Sequence, residues 1–217
     1  RRLTFGAELS SADGLELTGS WMHRNLFGNA EKLRFEARLS GIGANSDLDG
    51  RIALRLDRPA TLGPDDNTFY LLELERLDEE HYTATRGLGS IGVRRVFSDR
   101  LIGEAGFGFE VIDATDVFGE RRFKYMVGQV RAEYERRNNR VSATDGYYID
   151  ARLRPFVGLN GSKSGAQLSA DLRGYQKLAA DDKLVVAARV QLGSLIGPSI
   201  RETSPTLLFF SGGAGSV

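Results

Sequence analysis

Lys32-Leu33-Arg34-Phe35-Glu36-Ala37-Arg38-Leu39 is the stretch that decides the fold. Every even position carries a charge and every odd position is apolar. A period of two is the spacing of a β-strand, whose successive side chains point to opposite faces. A helix would bring charged and apolar groups onto the same stripe. One face of this strand meets an apolar medium and the other meets water or ion pairs.

The same period spreads outward from it. Upstream, Leu3, Phe5, Ala7 and Leu9 alternate with Thr4, Gly6, Glu8 and Ser10. Asp13-Gly14 is a hairpin signal, and Leu15, Leu17, Gly19 and Trp21 then alternate with Glu16, Thr18 and Ser20. Downstream, Ile52, Leu54 and Leu56 oppose Arg51, Arg55 and Asp57, and Tyr70, Leu72 and Leu74 oppose Glu73 and Glu75. Residues 82–97 are rich in glycine and give no clear phase. Leu101, Gly103, Ala105, Phe107, Phe109 and Val111 share a face against Glu104 and Glu110, with a loop expected over 113–119. Three more alternating runs centre on Val130, Ala151 and Ala170, and a last one runs from Leu184 to Leu192. The pattern predicts about eleven strands joined by short connections, with no helix.

Such a meander is what an up-and-down barrel looks like in sequence. A soluble barrel or sandwich would fill its interior with bulky apolar side chains. Here the polar face carries full charges of both signs on nearly every strand, and the apolar face mixes small and medium side chains with glycine. A charged, water-filled lumen and a lipid-facing exterior account for both. Trp21, Phe27 and Tyr70 fall near strand ends, where aromatic girdles belong.

Composition narrows the function. The 217 residues carry 29 basic and 29 acidic side chains, so the basic excess of a general nucleic-acid binder is missing. There are no cysteines, which excludes disulfides and cysteine-based zinc sites. No run approaches the ~18–20 apolar residues of a membrane helix, a test that cannot detect barrel strands. Gly87-Leu88-Gly89-Ser90-Ile91-Gly92 is formally a dinucleotide-binding G-x-G-x-x-G. The residues after it, Val93 to Ser98, do not read as the helix that would hold a phosphate. His23 and His81 lack partners at metal-ligand spacing. Ser20 and His23 are three apart on a strand, so they point to opposite faces and cannot act as a catalytic pair. Asp65-Asp66, Glu79-Glu80 and Asp181-Asp182 read as solvated turns. No enzyme activity and no cofactor are expected.

The sequence closes on Leu207-Leu208-Phe209-Phe210-Ser211-Gly212-Gly213-Ala214-Gly215-Ser216-Val217. Phe210, Gly212, Gly213, Ser216 and Val217 match in place a motif of the outer-membrane assembly barrels. That motif reads aromatic, small, Gly-Gly, two variable residues, Ser, Val or Ile, and then Arg-Gly-aromatic. The Arg-Gly-aromatic does not follow Val217. Arg173-Gly174-Tyr175 has that composition but continues an alternating strand, without the preceding glycine pair. Leu15 to Trp21 with Arg24-Asn25-Leu26-Phe27-Gly28 is similar to the family's first hairpin and turn. The chain thus resembles the BamA/TamA-type barrels, the bacterial surface antigen family, and its short connections favour the TamA branch.

The resemblance implies an all-β, antiparallel, up-and-down transmembrane barrel that is incomplete, about eleven of an expected sixteen strands. It divides the chain into barrel strands at 1–194 and, at 195–217, the start of a long inward-folding loop. It implies periplasmic POTRA domains upstream, five further strands downstream, outer-membrane lipid and client outer-membrane proteins as partners, and no nucleic acid. The implied function is insertion of client barrels or autotransporters through a lateral seam, with Leu3, Phe5, Ala7 and Leu9 on the gate strand. A two-partner secretion transporter and a passive porin-like channel are the alternatives.

Overall fold

A computed structural model describes residues 1–10, 14–43, 48–178 and 184–209. The described residues form one eleven-stranded antiparallel sheet in strict sequence order. The strands are β1 (Arg2–Ser10), β2 (Gly14–Arg24), β3 (Lys32–Ile42), β4 (Asp49–Pro59), β5 (Asp66–Glu79), β6 (Tyr82–Val96), β7 (Leu101–Asp116), β8 (Gly119–Glu135), β9 (Gly146–Leu159), β10 (Gly165–Lys177) and β11 (Val185–Ile196). The sheet is unclosed. β1 pairs only with β2 and β11 only with β10. Two 3₁₀ turns follow, at Ile200–Glu202 and Pro205–Leu207.

Register carries the two-faced pattern from strand to strand. One continuous row runs Phe5, Gly19, Ala37, Ile52, Leu74, Gly87, Val111. Because antiparallel partners lie on the same face, the apolar positions of all strands form one surface. That surface is open: Leu72, Leu74 and Phe107 are each at least 60% exposed. A contiguous exposed face of this size calls for an apolar medium outside it. Lys32, Arg34, Glu36 and Arg38 lie on the other face, with Arg51 and Arg55 beside them.

The glycine-rich stretch 82–97 falls within β6, in phase with its neighbours. Gly87 and Gly89 lie outward, opposite Leu74 and Leu72, and Arg86, Leu88 and Gly92 lie inward. No helix follows, so the G-x-G-x-x-G lies within a strand. A Cβ at Gly92 would collide with the Phe69 ring, which fills that space. The loop expected over 113–119 is instead a tight turn at 117–118, because alternation continues through Asp113↔Arg122 and Thr115↔Glu120. β5 to β8 therefore reach 14 to 17 residues. A membrane crossing takes ~9–11 residues, so these strands project beyond the lipid. β1 has 9 residues.

Candidate functional site

The inner wall carries two interleaved sets of side chains. The first is a chain of ion pairs running across strands. Arg51 on β4 binds Glu73 on β5. Arg86 on β6 donates to Glu73 at 2.7 Å and to Glu75 at 3.0 Å. The Arg86 Nε and an Arg154 guanidinium nitrogen both donate to Oε1 of Glu110, each at 2.5 Å. The Glu110 side chain has no solvent exposure. Farther along, Asp150 accepts from Arg131 and Arg152, and Asp171 from Arg173 and Arg189. Glu73, Glu110, Asp150 and Asp171 each serve two guanidiniums, so every one of these carboxylates ties two cations together. Arg173 of the misplaced Arg-Gly-Tyr is thus a wall residue of β10.

The second set is apolar, which the alternation did not announce. Leu88, Ile112, Phe123, Tyr125, Val127 and Phe156 all point inward and are buried, with Leu207 packed on them. Tyr125 stacks near Phe123 at 6.1 Å and meets Phe156 edge-on at 5.2 Å. The two sets meet at Glu110, which stands directly between Leu88 on β6 and Tyr125 on β8. The signal lay in β8, where Phe123, Tyr125 and Val127 occupy inward positions that are charged in other strands.

Residues 197–209 cover this platform. Leu207 is fully buried, and its carbonyl accepts from Gln167 Nε2 at 3.0 Å. Arg121 donates to the Arg201 carbonyl. Within the segment, Ser199 and Glu202 cap each other, and Thr203 Oγ1 donates to the Ser199 carbonyl at 2.9 Å. The Phe209 ring lies over Gly193 on the inner face of β11, where a Cβ would stand 2.8 Å from it. Phe210, Gly212, Gly213, Ser216 and Val217 lie outside the described residues.

The seam strand contrasts with this wall. Leu3, Phe5 and Leu9 are 61–81% exposed, and Ala7 is exposed with them. On the inner face Glu8 stands directly opposite Glu16. Facing carboxylates weaken a strand pair, and Glu16 turns to Arg38 on β3 at 2.8 Å. β1 is therefore held to β2 mainly by its backbone ladder.

At the opposite end, the β2–β3 turn is built around Glu31. Its carboxylate accepts from the Phe27 and Asn29 N–H groups and from Asn29 Nδ2, while Asn25 Oδ1 accepts from the Ala30 N–H. Asn25, Gly28 and Ala30 take positive φ, which the tight turn requires. Loss of water around Glu31 pushes its acid up, and the N–H groups of Glu31 itself, Asn29 and Phe27 outweigh that, so it ionises below the ordinary range. Ser20 and His23 fall on opposite faces, inward beside Glu36 and outward beside Leu33. His81 sits in the β5–β6 turn.

No curated protein matches the chain in sequence. Among solved structures, BamA from Haemophilus ducreyi lacking POTRA domains 1–3 superposes with a TM-score of 0.81 at 16% identity. The match covers 99% of this chain and 44% of that one, so the chain spans less than half the length of this structural relative. At that identity the likeness speaks for the fold, an unclosed part of a transmembrane barrel. A family model, the Omp85 superfamily domain, matches residues 25–217. Sheet order, outward apolar face and family model agree: this chain belongs to the Omp85 superfamily, a family of outer-membrane proteins.

Proposed function

We propose that the chain is the front part of an outer-membrane assembly barrel that inserts or translocates client barrel and autotransporter proteins through a seam at β1. Omp85 proteins are assembly and transport proteins rather than enzymes, and the work here is strand exchange without cofactor or nucleotide. The observation that carries the proposal is the weak side-chain hold of β1 on β2: its side chains are exposed from Arg2 to Leu9, and on the inner face Glu8 stands opposite Glu16. An unpaired edge templates an incoming strand by β-augmentation, main-chain hydrogen bonds supplying affinity and alternate side chains the register. Leu3, Phe5, Ala7 and Leu9 would face lipid alongside a client's own apolar positions.

The same reading assigns residues 195–217 to the start of an inward-folding loop. Its support is the seating of 197–209 on the inner wall. It also places POTRA domains upstream, client outer-membrane proteins and outer-membrane lipid as partners, and, given the short connections, a TamA-type protein.

The chain has no cysteine, which makes the test direct. In the complete protein, Thr4→Cys is expected to form a disulfide with a cysteine placed in a client's terminal strand during assembly. A folded barrel whose β1 positions never capture a client would overturn the seam, and would leave a secretion transporter or passive channel standing. Gly213→Val, which puts a branched side chain at the second glycine of the Gly-Gly motif and costs about 1 kcal/mol if that glycine takes a conformation other residues disfavour, is expected to slow client insertion in reconstituted vesicles while the barrel still reaches the membrane.

A further inference from the structure

Outward arginines at the end of the sheet that carries the 60–65 turn are held in different ways. Arg95 on β6 is paired with Asp66 at 3.5 Å, and the Arg136 guanidinium lies over the Tyr147 ring at 5.8 Å. Arg58 on β4 has no such partner among the described residues. The hydrogen bond it makes outside the strand ladder is to its carbonyl, from Thr61 Oγ1 at 2.9 Å. Register fixes its face. Leu56 pairs with Tyr70 and Arg58 with Thr68, so Arg58 continues the apolar column of β4. It also fixes its level. β4 has 11 residues, about the length of one membrane crossing, and Arg58 is the next to last of them. The guanidinium thus stands where hydrocarbon gives way to headgroups.

A pocket of about 370 Å³ opens beside it, within the roughly 300–1,000 Å³ of a small-molecule site. The β2–β3 turn supplies Phe27, Asn29 and Glu31, and β4 and β5 supply Leu56, Arg58 and Tyr70. Glu31 has no solvent exposure, and its carboxylate oxygens are occupied by the Phe27 and Asn29 donors of its own turn. Arg58 is therefore the charge that this pocket presents. Phe27, 67% exposed on the turn, forms an apolar wall facing it.

We propose that the pocket seats the headgroup of one phospholipid, with Arg58 on the phosphate, Tyr70 as a second donor, and the first acyl carbons against Phe27 and Leu56. Three observations fix the occupant. The pocket opens on the face that meets lipid, at headgroup level. An unpaired guanidinium there needs an anion, and its planar fork matches a phosphate's oxygens. One cation in a small pocket matches one phosphate, which favours a phospholipid over a doubly phosphorylated glycolipid. The inference concerns only the outward face and stands whether or not β1 exchanges strands with a client.

The test uses the full-length protein in detergent, read by native mass spectrometry after exposure to phosphatidylglycerol or to diacylglycerol with the same chains. The protein is expected to retain one phosphatidylglycerol and to hold diacylglycerol about tenfold more weakly, the value of a charge-assisted hydrogen bond. Arg58→Gln should bring phosphatidylglycerol down to the diacylglycerol level. Arg95→Gln, at the paired arginine of the same end, should leave retention unchanged. Phe27→Ala should weaken both lipids. Equal retention of the two lipids by the unmodified protein, or indifference to Arg58→Gln, overturns the phosphate seat. Equal losses in Arg58→Gln and Arg95→Gln would mean a general attraction to cations and overturn the pocket, as would retention untouched by Phe27→Ala. Displacement of phosphatidylglycerol by an equal amount of a doubly phosphorylated glycolipid overturns the choice of occupant. The headgroup comparison on the unmodified protein decides even where a variant fails to fold.

Discussion

The middle of the sheet and its β1 flank are built from the same alternation but held by different forces. From β5 to β9 the strands run 14 to 17 residues, and their inner faces are tied by the Glu73–Arg86–Glu110–Arg154 chain and capped by residues 197–209. β1 has 9 residues, all with exposed side chains from Arg2 to Leu9, and its inner face meets β2 with like charges. Outer-face chemistry does not distinguish the two regions, because both are apolar there. What differs is the inner face. The middle strands are thus tied on the lumen side as well as by their ladders, and the proposed seam lies at the strand without such ties.

The comparison can be broken most forcefully at Glu110. Glu110→Ala leaves Arg86 and Arg154 facing each other without their shared carboxylate. Removing one partner of a buried pair costs about 3–5 kcal/mol, so the urea midpoint of the complete protein in lipid vesicles should fall by that equivalent. A fall no greater than that of Glu8→Ala would erase the distinction between middle and flank. Next is Leu207→Ala, which takes a fully buried side chain off the Tyr125 and Phe156 platform. The loss is about 2–5 kcal/mol if the segment is structural, and cleavage by added protease within 197–209 should accelerate while the strands stay protected.

A smaller change sharpens the contrast from the other side. Glu8→Lys turns the like-charged pair with Glu16 into an attractive one, worth about 0.2–1 kcal/mol. Amide exchange along β1 should slow, and client insertion with it. Faster exchange would show that the facing carboxylates are not what loosens β1. The smallest effect is local. Glu31 ionises below its ordinary range, so its contribution to the β2–β3 turn is complete above the ordinary carboxylate value and is lost as pH falls through its lowered one. On acidification below about pH 4.5 the Phe27 and Asn29 amides should lose protection, and Glu31→Gln should remove that pH dependence, with the global midpoint unmoved in both cases.

Sequence by itself determined the faces. Side chains alternate with a period of two on any strand, so Leu33 and Phe35 were bound to share one side and Arg34 and Glu36 the other, whatever the neighbours. The hairpin turns were short enough to force a meander, and in a meander the strand order follows the chain. The terminal motif and the Arg24-Asn25-Leu26-Phe27-Gly28 element pointed to the right family for the same local reason: they are short contiguous patterns. Where glycine blurred the alternation, at 82–97, the phase was unreadable, because a residue without a side chain marks neither face. Only pairing with Leu72 and Leu74 on β5 fixed it.

Tertiary structure decided what meets what across the lumen. Glu110 on β7 is served by Arg154 on β9, with a whole strand between them. No local spacing encodes that contact, since it depends on register and shear accumulated over two hairpins. The apolar inward residues are the plainer lesson. Phe123, Tyr125 and Phe156 occupied inward positions, where an apolar residue reads in sequence as an irregularity. They make a surface only because residues 197–209 fold back over them and bring Leu207 into contact. Alternation is a property of one strand and is written in it. Cavities, ion-pair chains and covered platforms belong to several strands at once, so they exist only after the sheet has set its register.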